Sequence, residues 1–316
     1  MRTLVTGATG FIGRHLFRTL KNSGHICCAA TRRPGVKIES ANEYVCLDLY
    51  SPDAFKRVPT DFDAIVHLAD GFSKRCKNGL MKTRDDIENQ CSYTMQFAQW
   101  AIQNKVKDFI YMSSDKAKCG ETEADLIDDA GRIKTKTKYG AAKRYTEIQL
   151  SKLFEGSSTR LIILRNPIVY GPGCNSNIRN LLQIADSAWV RPTMLRDTRK
   201  TTVSITNCCD AIKTALDTPD APGGIYLIAD DGQISTNEII DLFRKELGRK
   251  ISLISFPKWF WKLTKSMQGK KAKIRRQTGI HASRDNRFQK HFGWLPSQTT
   301  RQSLQDMVRM YVREGK

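Results

Sequence analysis

No two cysteines in this chain are spaced Cys-x-x-Cys. The nine that occur, at 27, 28, 46, 76, 91, 119, 174, 208 and 209, make two adjacent pairs and an irregular remainder. An odd count with that spacing suits free thiols and argues against a disulfide framework or a zinc site. Histidine is scarce as well: the five at 15, 25, 67, 281 and 291 form no ligand pattern, so no metal is expected. No stretch approaches the roughly 18 consecutive apolar residues of a membrane-spanning helix. Arg2-Thr3-Leu4-Val5-Thr6 runs straight into a glycine motif, with no apolar core of a signal peptide, and the expected compartment is the cytoplasm. Internal repeats and low-complexity tracts are missing too.

Acidic residues are in short supply: 32 Asp and Glu against 52 Lys and Arg leave a net charge of +20. Such a balance suits nucleic acid, an acidic membrane surface, a polyanionic small substrate, or simply a solvated basic surface. No recognised nucleic-acid module accompanies the charge, and the basic residues are scattered outside one segment, so no nucleic-acid partner is expected. That segment, Lys258–Arg276, holds eight basic residues, no acids and the cluster Trp259-Phe260-Trp261. Phe260, Leu263 and Met267 fall at i, i+3 and i+7, which permits an amphipathic helix. Three readings stand side by side: a lid over an anionic substrate, an interfacial helix on acidic lipid, or an exposed face with a buried aromatic seam.

What is present points to an α/β protein. With 316 residues, 40% of them hydrophobic, the chain can fill one large domain core and a smaller appendage. Short apolar runs alternate with helical patterns over the first half, the mark of a doubly wound parallel sheet. Expected strands are Thr3–Thr6, Ile26–Thr31, Tyr44–Leu47, Ala64–Leu68, Phe109–Ser113 and Arg160–Leu164, with helices over Asp86–Gln103 and Tyr139–Phe154. Ile12, Leu16 and Leu20 share one helical face, and Gly24 follows where that helix would end. After Pro167 the pattern breaks into shorter pieces. Helices are expected at Ile178–Ser187, Cys209–Asp217, Asn237–Leu247 and Gln302–Val312, and strands at Thr201–Ile205, Ile225–Ile228 and Ile251–Ile254. The division expected is residues 1–166 as a dinucleotide-binding domain and 167–316 as a smaller substrate-binding lobe, some of whose elements return to the first sheet.

Thr6-Gly7-Ala8-Thr9-Gly10-Phe11-Ile12-Gly13 lies between the first strand and the first helix. Glycines in this G-x-x-G-x-x-G spacing allow a tight turn, close approach of backbone to a pyrophosphate, and close packing of helix on strand. The helix N-terminus then offers N–H groups to phosphate. Gly7, Gly10, Phe11, Ile12 and Gly13 are therefore the expected cofactor contacts in a Rossmann-type fold. At the end of the second strand, where an NAD site usually places an acid for the ribose hydroxyl, stand Thr31-Arg32-Arg33. Two guanidinium groups suit a 2′-phosphate, so an NAD(P) cofactor is expected with NADP favoured over NAD.

Ser113-Ser114 ends the fifth strand, and Tyr139 and Lys143 open the next helix four residues apart, on one face. A lysine ammonium so placed can depress the phenol, helped by an oxidised nicotinamide ring. Moving a phenol from about 10 to about 7 takes roughly 4 kcal/mol. The phenolate would take a hydroxyl proton during oxidation, or the phenol give one in reverse, with Ser114 orienting the substrate oxygen.

With these motifs the chain resembles the extended short-chain dehydrogenases/reductases, the NAD-dependent epimerase/dehydratase family of nucleotide-sugar enzymes. The likeness runs nearly end to end, through Thr6–Gly13, Asp48-Leu49, His67-Leu68-Ala69, Ser113-Ser114, Tyr139–Lys143, Arg165–Gly173, Asn207–Ile212 and Phe292-Gly293-Trp294-Leu295-Pro296. It implies that Ser114 rather than Ser113 is the catalytic serine, and that Asp48 and Leu49 lie by the adenine. It implies further that Leu68 and Ala69 line the nicotinamide-ribose path, and that Asn177, Lys200 and Arg199 hold the diphosphate of a UDP-sugar. A homodimer is implied as well. Asp70 departs from the pattern, standing where a small residue is common. Asp115 resembles the 4,6-dehydratases, which carry Asp then Glu there, but Lys116 leaves that acid/base pair incomplete; a dehydratase subgroup that carries Asp-Lys lacks the tyrosine retained at 139. Redox chemistry at C4, as epimerase or ketoreductase, is therefore expected ahead of dehydration through Asp115 and Lys116. A regulatory protein that binds NADP without turnover is a further alternative, against which the retained Ser114, Tyr139 and Lys143 argue.

Overall fold

The computed structural model describes residues 1–71, 78, 83–119, 126, 137–187, 199–249 and 285–314. The expected strand at 251–254 and the basic aromatic segment 258–276 lie outside the described residues.

Seven parallel strands form the central sheet. They are β1 (Arg2–Thr6), β2 (Ile26–Thr31), β3 (Glu43–Cys46), β4 (Ala64–His67), β5 (Asp108–Ser114), β6 (Arg160–Asn166) and β10 (Gly224–Leu227). Their spatial order is β10-β6-β5-β4-β1-β2-β3. β1 sits between β2 and β4, with Leu4 paired to both Cys28 and Ile65. That pairing is the reversal point of the sheet, where ligands of such folds bind beyond the carboxyl ends of the strands. Every residue of β4 and β5 is buried. A strand covered on both faces gains by being apolar throughout, so these strands read as continuous hydrophobic runs rather than alternating ones.

Helices α1 (Phe11–Asn22), α2 (Arg84–Gln103) and α3 (Lys138–Leu153) accompany these strands. Leu4, Ile65, Phe97, Phe109, Tyr111 and Ile163 lie in one buried cluster. Phe55 stacks on Phe97 and Trp100 at 5.8 Å between centroids. A fully buried large side chain such as Phe97 contributes about 1.5–3 kcal/mol. α2 begins two residues before the expected Asp86. Thr83 is its N-cap, accepting from the Asp86 N–H while the Asp86 carboxylate accepts from the Thr83 N–H. Asp86 is thus the third residue of a capping box rather than the first of the helix.

The chain divides into two compact units. The first comprises Met1–Pro167, Ile205–Ile228 and Asp285–Leu295, so two segments from beyond Pro167 belong with the sheet. β10 extends it beside β6, with Ile225 opposite Ile163. α5 (Ile205–Asp217) and the short α7 (Arg287–Phe292) belong to this unit. Tyr226 packs edge-on against Phe288 and Phe292. Gly293 closes α7 in the left-handed conformation at φ 63°, and Trp294 then donates from Nε1 to Asp210 at 3.2 Å.

The second unit comprises Ile168–Ser204, Ala229–Arg284 and Pro296–Lys316. Its described elements are β7 (Ile168–Tyr170), α4 (Asn177–Asp186), β8 (Arg199–Lys200), β9 (Thr202–Ser204), β11 (Ile234–Ser235), α6 (Thr236–Glu246) and α8 (Thr300–Arg313). β7 pairs parallel with β9, and β8 antiparallel with β11. Asp230 ties this unit together, accepting from the Tyr170 hydroxyl at 2.8 Å and from the Ser204 N–H at 2.9 Å. Among the described residues, no helix is long and apolar enough to cross a membrane.

Candidate active site

The turn between β1 and α1 is built for close approach. Gly7 sits at φ +69°, and a Cβ there would lie 2.8 Å from the Ala69 nitrogen and the Leu68 carbonyl carbon. A Cβ on Gly13 would lie 2.5 Å from the Gly7 oxygen and 2.8 Å from the Ala8 Cα. Any side chain at either position would force backbone apart, which is the cradle a pyrophosphate needs. Gly10 is the N-cap of α1 and has no side chain to cap it, and the first turn carries no acid. The positive end of the helix dipole therefore opens onto this turn without a competing carboxylate.

Thr6 and His67 lock the two strands that flank the cradle. Ala69 N–H donates to Thr6 Oγ1 at 3.3 Å, Thr6 Oγ1 lies 2.7 Å from His67 Nδ1, and His67 Nε2 lies 3.2 Å from Thr94 Oγ1. Burial pushes the His67 imidazole down to about 3, with the Lys143 charge pushing the same way and Asp70 opposing. A neutral ring accepting at Nδ1 and donating at Nε2 satisfies every partner.

Arg32 and Arg33, just past β2, are exposed and make no ion pair among the described residues. Asp48 follows β3, where its carboxylate accepts from the Tyr50 N–H at 3.1 Å. Leu49 is half-buried against the main core cluster.

The two serines at the end of β5 have different surroundings. Ser113 Oγ donates to Glu147 Oε1 at 2.5 Å inside the protein. Ser114 Oγ, one residue nearer the strand's end, lies 3.3 Å from Asp115 Oδ1 and accepts from the Lys116 N–H. Burial raises the Asp115 carboxyl above its usual range, against the pull of Lys116 and Ser114.

Tyr139 and Lys143 sit on the first turns of α3, and one carboxylate meets both. Tyr139 Oη donates to Asp70 Oδ2 at 3.1 Å, and Lys143 Nζ is 3.7 Å from the same oxygen. Lys143 is buried and also donates to Tyr111 Oη at 3.2 Å and to the Met112 carbonyl at 2.9 Å. Burial lowers its pKa, opposed by Asp70 and Glu147. Lys116 Nζ lies 5.7 Å from the Tyr139 ring centroid. Gly140 lets α3 come this close, because a Cβ there would fall 2.3 Å from the Lys116 carbonyl oxygen.

Glu147, missed on the sequence, holds α3 to the sheet. Its fully buried carboxylate accepts from Ser113, from both Nε and Nη2 of Arg165 at 2.9 and 2.5 Å, and from Arg144 at 3.2 Å. Its signal was one of phase. Glu147 follows Lys143 by four residues, on the face that also carries Tyr139.

Asn177, Arg199 and Lys200 belong to the second unit. Asn177 is the exposed first residue of α4, behind the cap Ser176. The Arg199 guanidinium is held by Glu238 at 2.5 Å and by the Gln233 carbonyl at 3.2 Å, while Lys200 is half-buried in β8 opposite Ile234.

Residues 3–229 match the model of the NAD dependent epimerase/dehydratase family. UDP-glucose 4-epimerase of Vibrio cholerae is 25% identical over 324 residues, spanning 98% of this chain and 95% of that protein. Ceramide reductase of Caulobacter vibrioides is 26% identical over 259 residues, or 80% of this chain and 73% of its own. Among solved structures, UDP-glucose 4-epimerase of Thermotoga maritima with UDP-glucose has a TM-score of 0.71 at 17% identity, covering 100% of both chains. The Thermus thermophilus UDP-glucose 4-epimerase with NAD has a TM-score of 0.70 at 19% identity, covering 99% of both chains. At those identities the likeness shows a shared fold.

Proposed function

The chain belongs to the NAD-dependent epimerase/dehydratase family, and from that premise we propose that it works at C4 of a UDP-linked sugar, as a 4-epimerase or a 4-ketoreductase. The observation that carries this reading is the placing of Tyr139 and Lys143 four residues apart on one face of α3, with Lys143 buried against Tyr111 and Met112 of β5. Ser114 stands at the end of the adjoining strand, and the Gly7–Gly13 cradle opens beside Leu68 and Ala69.

Gly7, Gly10, Phe11, Ile12 and Gly13 would hold the diphosphate of a nicotinamide dinucleotide, Asp48 and Leu49 its adenine end, and Leu68 and Ala69 the path to its nicotinamide. Arg32 and Arg33, exposed and with no acid at the end of β2, fit a 2′-phosphate and so favour NADP. Bound there, the dinucleotide supplies hydride exchange with the sugar carbon. Ser114 Oγ would hold the C4 oxygen by a hydrogen bond. Tyr139 Oη would give that oxygen a proton or take one from it. Lys143, with its donors anchored on Tyr111 and Met112, would keep a positive charge near the phenol. Asn177, Lys200 and, when released from Glu238, Arg199 would meet the diphosphate of the sugar nucleotide.

Incubation with UDP-hexoses and their 4-keto derivatives, with and without NADPH, separates the two activities by NMR. An epimerase interconverts C4 epimers with no added reductant, whereas a reductase consumes NADPH and forms one 4-hydroxy product. One observation favours a second reading, 4,6-dehydration: burial keeps the Asp115 carboxyl protonated to higher pH, as a general acid requires. Loss of water at C5–C6 as the only reaction would establish that reading in place of the first.

A further inference from the structure

The Ser–Tyr–Lys scheme has no use for a carboxylate on its tyrosine, yet Asp70 supplies one. Tyr139 Oη donates to Asp70 Oδ2 at 3.1 Å. A phenol can make that bond only while it carries its proton. A phenolate in its place would set two anions together with no hydrogen between them. The Lys143 ammonium, which would favour the phenolate, lies 3.7 Å from the same carboxylate oxygen and donates to Tyr111 and Met112.

The backbone that leads into Asp70 is fixed in place. The preceding Ala69 N–H is bonded to Thr6 Oγ1, and the Leu68–Ala69 backbone packs against Gly7 too closely to admit a Cβ.

Among the described residues, the other titratable or charged groups around Tyr139 come from every neighbouring element. Lys116 lies over its ring from the turn after β5, and Tyr111 stands on β5. Cys91 on α2, Cys119, and Tyr145 on its own helix share its apolar cluster. Among the described residues, Asp70 is an anion in direct contact with Tyr139 Oη.

Building on the C4 reading above, we propose that Asp70 is a positioning residue that holds Tyr139 as the protonated phenol and poises the site to reduce a ketone rather than to oxidise an alcohol. In that direction the Tyr139 O–H bond breaks and a new O–H bond forms on the keto oxygen. The carbonyl carbon receives a hydride from a reduced nicotinamide dinucleotide, and the tyrosine regains its proton from water. Removing the carboxylate favours the phenolate. Oxidation then sets in at lower pH, and reduction is lost at lower pH.

The direct test needs no substrate. Alkaline titration of the phenolate absorbance, taken as the difference between each protein and its Tyr139→Phe counterpart, isolates Tyr139 from the other tyrosines. Asp70→Asn and Asp70→Ala should both lower its pKa by about one to three units, the usual effect of a contacting charge. Asp70→Glu should bring it back towards the wild-type value. If Asp70→Ala does not fold, Asp70→Asn, nearly identical in shape, decides alone. An unchanged or raised Tyr139 pKa in the folded Asn variant overturns the proposal. The C4 reading fails separately, if Tyr139→Phe keeps full turnover, and that result leaves the titration interpretable.

Discussion

Changing Glu147 to Gln should be among the most damaging single-atom replacements in the first unit. The wild-type carboxylate is fully buried and accepts four hydrogen bonds, three of them from guanidinium groups of Arg165 and Arg144. Those arginine side chains are themselves only 13% and 15% exposed, so water cannot replace the lost partner. The amide keeps the shape but turns one acceptor into a donor facing other donors, and it leaves Arg165 with an uncompensated buried charge. Breaking a buried pair on one side costs about 3–5 kcal/mol. At about 2–4 °C per kcal/mol for a unit of this size, the melting temperature should fall by roughly 6–20 °C. Differential scanning calorimetry of the two proteins at one pH and salt concentration measures this. A melting temperature within about 2 °C of wild type would refute the argument, because it would mean that solvent or a rearranged Arg165 satisfies the network.

Three further outcomes follow from the same geometry. Ser114→Ala should lower turnover and cost about 1 kcal/mol of stability, through loss of its cap on the Lys116 N–H. Ser113→Ala should instead spare turnover and cost about 1–3 kcal/mol in a urea titration, by taking one donor from the buried Glu147 carboxylate, and equal effects of the two on turnover would contradict their different surroundings. His67 stays neutral to about pH 3, whereas the unfolded chain protonates its histidines near pH 6.5. Its contribution is therefore complete above that value and shrinks as pH falls, by about 2 kcal/mol at pH 5. His67→Gln should remove this slope from unfolding free energies measured across the range, and an identical slope in both proteins would rule it out. Calorimetric titration should show NADPH binding more tightly than NADH, with Arg32→Ala/Arg33→Ala erasing the difference; an NADH preference in the wild type would remove the arginines from the cofactor site.

The sheet was legible because its central strands are buried on both faces. Runs such as Ala64–His67 and Phe109–Ser113 have no place to alternate, and the glycine spacing after β1 marks a turn where Cβ atoms cannot fit. The return of the later chain to that sheet was harder to assign. A strand at Ile225–Ile228 can be read from its apolar run, but a run does not name its neighbour, and β10 found β6. β8 and β11, two residues each, and the six-residue α7 are too short to show a period. Within the site, Ser114, Tyr139 and Lys143 could be chosen from local spacing, because strand end and helix face are local properties. Asp70 and Glu147 could not be placed in the same way. Their roles rest on partners such as Tyr139, 69 residues from Asp70, and Ser113, 34 residues from Glu147. On the sequence, Glu147 shows its phase with Tyr139 and Lys143 on one helix face, but phase does not name Ser113 and Arg165 as its partners.

Proton exchange through Tyr139 at C4 of a nucleotide sugar is the claim on which the rest depends. Turnover of the competent UDP-sugar, followed by NMR at C4 for wild type and Tyr139→Phe, tests it most directly, provided dinucleotide binding to the variant is measured in parallel. Intact binding and a loss of at least about a hundredfold in turnover are expected. Near-wild-type turnover in the variant would contradict that claim.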